Sequence, residues 1–391
     1  MTRLSETARA MRPGVFAELE RHIAARAAAA TGGRPADLIP LHIGDTYLAP
    51  PAAARLAEID EHPSLYRYGA TAGTPELREA IRARFAPSED LDVLLGAGGT
   101  HALYCAARCV LDPGDDVLVC APYWPLAPGI FHQAGARSVE VPFTSRLYDD
   151  PSLDAGALLE ASLTPKTRAV YLITPNNPDG KVLSTKHLAE VVRFAEAHDL
   201  WIFADEVYAD VAFDAPHVAV ASLPGAAART ITLHSFSKSR ALAGARVGFV
   251  IAPKELVVPA MRMGVHTVFN VPVAMQHAAR AALADRDWVT RAKSTYLTAR
   301  DAAAKALAGA PVRFPLAEGG TYLFLDFTEL LAGRPLTTLL TRAIDEGVML
   351  APGAAFGEAY ASWARLCYTS VPEPKVLEGI ARLRIAMAAI A

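Results

Sequence analysis

The sequence predicts an α/β protein: a mostly parallel sheet with helices on both faces, followed by a smaller α+β domain. Three observations lead there. From about residue 91 to residue 253, short unbroken apolar runs alternate with stretches of helical period, as strands buried on both faces require. Beyond about residue 275 the alternation gives way to long helices, a few strands and a terminal helix. The 391 residues are 52% hydrophobic and 20% charged, which suffices for a large core and two domains.

In chain order, an N-terminal helix is expected over 15–30, then a short extended segment, "DLIPLHIGD". "LDVLLGAGGTHALYCAARCVL" reads as strand, glycine loop and helix. "DDVLVCAPYW" and "ARSVEVPF" read as strands, and "TRAVYLITPNNPDG" as strand and loop. "STKHLAEVVRFAEAHD" is helical, with Ser184 as its N-cap. "LWIFADEVY", "RTITLHSFSK" and "ARVGFVIAP" supply further strands. "GGTYLFLDF", "VMLAPGAAFG" and "WARLCYT" belong to the second unit. The expected division is a large domain over 46–275 and a small one made of 1–45 with 276–391.

A formal net charge of −3 gives no argument for nucleic acid or a membrane surface. The most apolar run, 117–131, is interrupted by Pro122, Pro125 and Pro128 and is too short to span a bilayer. The N-terminus carries Arg3, Glu6, Arg9 and Arg12 and has no apolar run of the signal-peptide kind. Cys105, Cys109, Cys120 and Cys367 form no C-x-x-C pair, so reduced thiols in a cytoplasmic protein are expected, and no metal site.

Ligands of open α/β sheets bind beyond the carboxyl ends of the strands. Five predicted strands end in chemistry. After "DVLL" comes Gly98-Gly99-Thr100 and a helix start, where backbone N–H groups suit a phosphate. After "VLVC" comes Trp124, an aromatic face for a flat ligand. After "VYLI" comes Asn177, and after "WIFA" come Asp205 and Tyr208. Asp205 could hold a protonated ring nitrogen, and Tyr208 and Asn177 a phenolate oxygen. After "ITLH" come Ser235, Ser237 and Lys238, with Arg246 eight residues on. The hydroxyls and the guanidinium suit a phosphate, and the lysine a Schiff base. Taken singly, each has an ordinary structural reading: a glycine turn, a core tryptophan, a helix-capping acid, a polar loop. Together, in one order, they describe pyridoxal 5'-phosphate.

With "LHIGD", "YRYGATAGTPELREAI", "GAGGTHAL", "DPGDDVLVCAPYWP", "TPNNPDGKVL", "DEVYADVAF", "SFSKSRALAGARVGF", "GGTYLFLDF", "APGAAFG" and "ARLCYT" in this order, the chain resembles the class I/II aminotransferases of the aspartate aminotransferase superfamily, PLP-dependent fold type I, over about residues 41–370. The resemblance implies an aminotransferase that moves an amino group from an L-amino acid to a 2-oxo acid by ping-pong chemistry. Lys238 would be the Schiff-base lysine and proton shuttle, and Asp205 the partner of the pyridine nitrogen. Tyr208 and Asn177 would hold the 3-hydroxyl oxygen and Trp124 would stack on the ring. Gly99, Thr100, Ser235, Ser237 and Arg246 would hold the phosphate. Tyr68 would reach the phosphate across a homodimer. Arg365 would clamp the substrate α-carboxylate, assisted by Asn177 and the backbone near Gly44, with Trp124 beside the substrate.

The chain departs from the family's usual asparagine loop: Thr174 stands for the first Asn and Asp179 for the usual Thr, so the loop's hydrogen bonds are expected to differ. In "GVHTVFNVPVAMQ", which resembles the segment reaching toward the substrate side chain, His266, Val268 and Phe269 supply no arginine for a second carboxylate. The same scaffold hosts C–S lyases, cyclopropane-forming synthases, decarboxylases and oxidases or cyclases, and, with an added DNA-binding segment, regulators. The short, weakly charged N-terminus leaves little room for such a segment.

Overall fold

The computed structural model describes residues 3–11, 14–17, 19–28, 38–56, 63–214 and 216–391. Its main sheet contains β1 (Leu91–Ala97), β2 (Asp116–Ala121), β3 (Arg137–Pro142), β4 (Thr167–Ile173), β5 (Trp201–Asp205), β6 (Thr230–Ser235) and β7 (Val247–Pro253). They lie in the order β1-β7-β6-β5-β4-β2-β3. Only β7 runs against its neighbours. The sheet is therefore mostly parallel, as the unbroken apolar runs predict.

Alternation of side chains sends Tyr171 and Ile173 of β4 to one face, against Phe131 and Phe203. Val170 and Leu172 go to the other, against Leu188 and Val191 of the helix Thr185–Ala197. Ser184 caps that helix as expected: its Oγ accepts the His187 N–H at 3.2 Å. A cap of this kind is worth about 1 kcal/mol.

The second sheet is antiparallel, with β10 (Trp363–Cys367) between β8 (Tyr322–Asp326) and the two-residue β9 (Ala351–Pro352). Leu323, Leu325 and Leu366 pack with Tyr296 of the long helix Arg286–Leu307 and with Leu383 of the terminal helix Glu373–Ala388. Leu19, Ile39 and Leu41 join this core. The helix Val273–Ala284 instead places Ala279, Ala282 and Leu283 against the main sheet.

The N-terminal expectation needs correction. The helix over this stretch covers Glu20–Ala28, not 15–30, and residues 29–37 lie outside the described residues. Residues 14–17 and 19 instead make short turns, Ala17 N to Gly14 O and Leu19 N to Phe16 O. Phe16 packs edge-on against His42, with ring centroids 4.7 Å apart. A tertiary contact fixes this stretch where the apolar pattern suggested continuing helix. A further five-residue helix, Glu6–Ala10, begins at Ser5, whose side chain caps it.

Candidate active site

The carboxyl ends of β1, β2, β4, β5 and β6 lie along one edge of the sheet. Because β7 is antiparallel, its beginning lies there too, and Gly248 pairs with both Gly96 of β1 and Ser235 of β6. Arg246, one residue before β7, thus arrives between the ends of β1 and β6. A Cβ at Gly248 would run into the backbone nitrogen of Gly99, so only glycine lets the strand pass this close to the helix Gly99–Val110. Gly98 has φ +80°, and a Cβ there would collide with the Arg246 guanidinium.

These strand ends enclose a cavity of about 280 Å³. Gly99, Thr100, Ser235, Ser237 and Arg246 line one part of it, and Trp124, Asn177, Asp205, Tyr208 and Lys238 another. Gly44 and Arg365 face them from the second core, with Tyr322. Every residue given a cofactor or substrate contact from the sequence is brought here except Tyr68, which is 86% exposed and packs on Phe269 at 4.9 Å between ring centroids; His266, Val268 and Phe269 do not line this cavity either.

The cavity is rich in cations. Lys238 Nζ donates to the carbonyl oxygen of Gly44. Arg246 Nη1 donates to the carbonyl of Ala243 at 2.9 Å. Arg365 Nη1 donates to Asn177 Oδ1 and Nη2 to His42 O, each at 2.8 Å. Its guanidinium lies over the Tyr322 ring, 4.1 Å from the centroid. Its Nε is buried without a partner. Among the described residues none of these three cations is ion-paired with a carboxylate. Burial, and then the charge of Arg365, push the His42 imidazole down to about 4, so it stays neutral beside the guanidinium.

Asp205 is the carboxylate of this cavity. Its Oδ2 accepts from the Tyr171 hydroxyl at 2.9 Å and its Oδ1 from the Val207 N–H at 3.3 Å. Burial pushes its carboxyl up to about 6, against the pull of the Tyr171 bond. Tyr208 and Tyr322 share a hydroxyl–hydroxyl bond of 2.7 Å. Burial and the neighbouring Tyr322 raise the Tyr208 phenol well above its usual range, so it stays protonated. Ser235 Oγ accepts the Ser237 N–H at 3.1 Å and donates to Ser237 Oγ at 2.9 Å.

The altered asparagine loop has its own bonds. Thr174 Oγ1 accepts the Leu183 N–H at 3.0 Å. Asp179 is buried and accepts from Thr144 Oγ1 at 2.7 Å, Asn176 Nδ2 at 2.8 Å and Lys181 N at 3.0 Å. The carboxylate thus ties the loop to the segment after β3 while Asn177 remains at the cavity.

Tyr171 and Tyr322 were not legible as site residues. Each sits inside an apolar strand, where an aromatic reads as core, and no residue pattern separates the two uses.

The unpaired cations, the orphaned Arg365 Nε and the protonated Tyr208 phenol suit a ligand with a phosphate, a carboxylate and a phenolate-type oxygen. Asp205 suits a cationic ring nitrogen. The set therefore fits pyridoxal 5'-phosphate bearing an amino acid.

Comparison with known proteins agrees with this fit. The family "Aminotransferase class I and II" matches residues 36–383. The chain is 34% identical to arginine–pyruvate transaminase AruH of Pseudomonas aeruginosa, over 86% of this chain and 87% of that protein. It is 33% identical to aromatic-amino-acid aminotransferase 2 of Thermococcus litoralis, over 82% and 83%. A mutant aspartate aminotransferase of Thermus thermophilus superposes with a TM-score of 0.89 at 25% identity, covering 99% of this chain and all of the other.

Proposed function

Since the chain belongs to the class I and II aminotransferases, we propose that it moves an amino group from an L-amino acid to a 2-oxo acid in two half-reactions, using pyridoxal 5'-phosphate held covalently by Lys238. One observation carries this: a single cavity gathers Lys238, Arg246 and Arg365 without carboxylate partners around one buried carboxylate, Asp205. When bound, the cofactor supplies a carbonyl carbon that condenses with amines and a ring that accepts the electron pair left at the α-carbon.

The chain's own residues do the rest. Gly99, Thr100, Ser235, Ser237 and Arg246 hold the phosphate at a helix N-terminus. Trp124 covers the ring, and Asp205 holds the proton at its nitrogen. Tyr208 and Asn177 bond its phenolic oxygen. Arg365 presents two parallel N–H donors to the substrate carboxylate, fixing the Cα–H bond, with Asn177 and the Gly44 backbone at its side. Lys238 would hold the cofactor and, once displaced by an incoming amine, would serve as the base that takes up the Cα proton and later gives it back.

The reading also divides the chain into a cofactor-binding unit, 46–275, and a smaller one, 1–45 with 276–391, with the helix Val273–Ala284 straddling the divide. It makes the protein a cytoplasmic homodimer. Four free thiols favour the compartment. Among the described residues no helix is long and apolar enough to cross a membrane. His266, Val268 and Phe269 favour donors other than dicarboxylates.

A panel of amino donors against one 2-oxo acid tests the function. Each turnover should convert one donor into its oxo acid and one acceptor into its amino acid. Release of ammonia, thiol or carbon dioxide in place of that exchange would assign one of the other reactions of this scaffold.

A further inference from the structure

The strand β4 carries one fully buried polar side chain that the proposed reaction has not used. Tyr171 stands in the middle of "RAVYLI", fully buried between Phe131 and Phe203. A buried phenol needs a partner, and Phe would have filled the space without one. In the parallel register of β4 and β5, Tyr171 pairs with Phe203 and Ile173 with Asp205. Tyr171 and Asp205 therefore share a face of the sheet, with the phenol one step deeper. Its hydroxyl donates to Asp205 Oδ2 at 2.9 Å.

We propose that Tyr171 is a positioning residue for Asp205: it holds one carboxylate oxygen from beneath, leaves the other to the cavity, and sets how far a proton shared with the cofactor's ring nitrogen stays on nitrogen. The inference rests on the reading that pyridoxal 5'-phosphate binds here. Three features support it. The phenol cannot act as a base, because burial and then the Asp205 charge raise it well above its usual range. It is a permanent donor. The other groups facing Asp205 pull in opposite directions: Glu206 beside it favours its protonated form, and Lys238 across the cavity and the Val207 N–H favour the carboxylate. Tyr171 is the side chain among these that bonds the carboxylate directly, and it weakens that group as a base. Without it, Asp205 becomes more basic, and the shared proton moves from ring nitrogen toward oxygen. The ring then accepts electrons less readily.

Tyr171→Phe keeps the ring in the core and removes the one bond. Both proteins are reconstituted with pyridoxal 5'-phosphate carrying ¹⁵N in the ring. The wild type should show a nitrogen resonance near the pyridinium position. The variant's resonance should move toward neutral pyridine, with the thermal midpoint kept within about 5 °C. Exchange of the donor's α-proton should slow by about tenfold or more, as expected for loss of a hydrogen bond to a charged group, with little change in KM. A variant with the wild-type resonance and exchange rate overturns the proposal and leaves Tyr171 a core filler. A wild-type protein that takes up no label at Lys238 overturns the parent reading, and this one with it. The two failures are told apart by whether the wild-type spectrum exists.

Discussion

Asp205 shows what burial does to a single group. Its carboxyl is pushed up to about 6 and is kept in use by bonds from Tyr171 and Val207. A carboxyl with a raised native pKa binds more protons folded than unfolded between roughly pH 4 and 6, so its contribution to stability falls as pH rises through that window. In the cofactor-free protein, Asp205→Asn should remove this fall. The variant should gain about 1–3 kcal/mol on the wild type between pH 4 and pH 7, read by denaturant unfolding at both values. An unchanged difference would mean that Asp205 ionises as in water. Arg365 is the second case, since lysine cannot copy its two-pronged geometry. Arg365→Lys should cost roughly 2–5 kcal/mol in kcat/KM for an amino acid and much less for the corresponding amine without a carboxylate. Equal losses would give Arg365 a role in the fold or cofactor site instead. Lys238, Asp205 and Arg246 could be singled out in the sequence because five strand ends carry such groups in one order and ligands of open α/β sheets bind there, although each alone is ordinary. Tyr171 and Tyr322 could not, since an aromatic inside an apolar strand looks the same whether or not its hydroxyl has work.

At the scale of elements, the alternating apolar runs and Ser184 identified strands and helices because buried strands and caps have local residue patterns. The direction of β7 has no such pattern, since an antiparallel strand buried on both faces is as apolar as a parallel one. Yet that direction brings Arg246 to the phosphate end of the cavity, where Gly98 and Gly248 make room. Gly248→Ala should therefore act on both fold and ligand. The new methyl meets the Gly99 backbone, which cannot swing aside as a flexible side chain would. It should cost about 1–3 kcal/mol in stability and weaken retention of pyridoxal 5'-phosphate, measured by dialysis. Wild-type stability and retention together would show that the approach of β7 to the helix start is looser than the structure has it. The N-terminal helix starts later than its apolar pattern predicts because the contact between Phe16 and His42 is tertiary and leaves no trace in local spacing.

The whole molecule exposes aromatic surface. Tyr66 is 66% and Phe269 45% exposed, and Tyr68 rests on Phe269 in the open. Phe269 also has φ +62°, an unfavourable conformation for a bulky residue. Such surface and strain suit an interface, and sedimentation should find a dimer burying well over ~2,000 Å². A fully active monomer would contradict the shared-site reading. The proposed chemistry turns on one atom, the Nζ of Lys238. Purified protein loaded with pyridoxal 5'-phosphate is reduced with borohydride, digested and mapped by mass. A pyridoxyl group is expected on Lys238 alone, and none in Lys238→Ala. Label on another lysine, or on none, would contradict it.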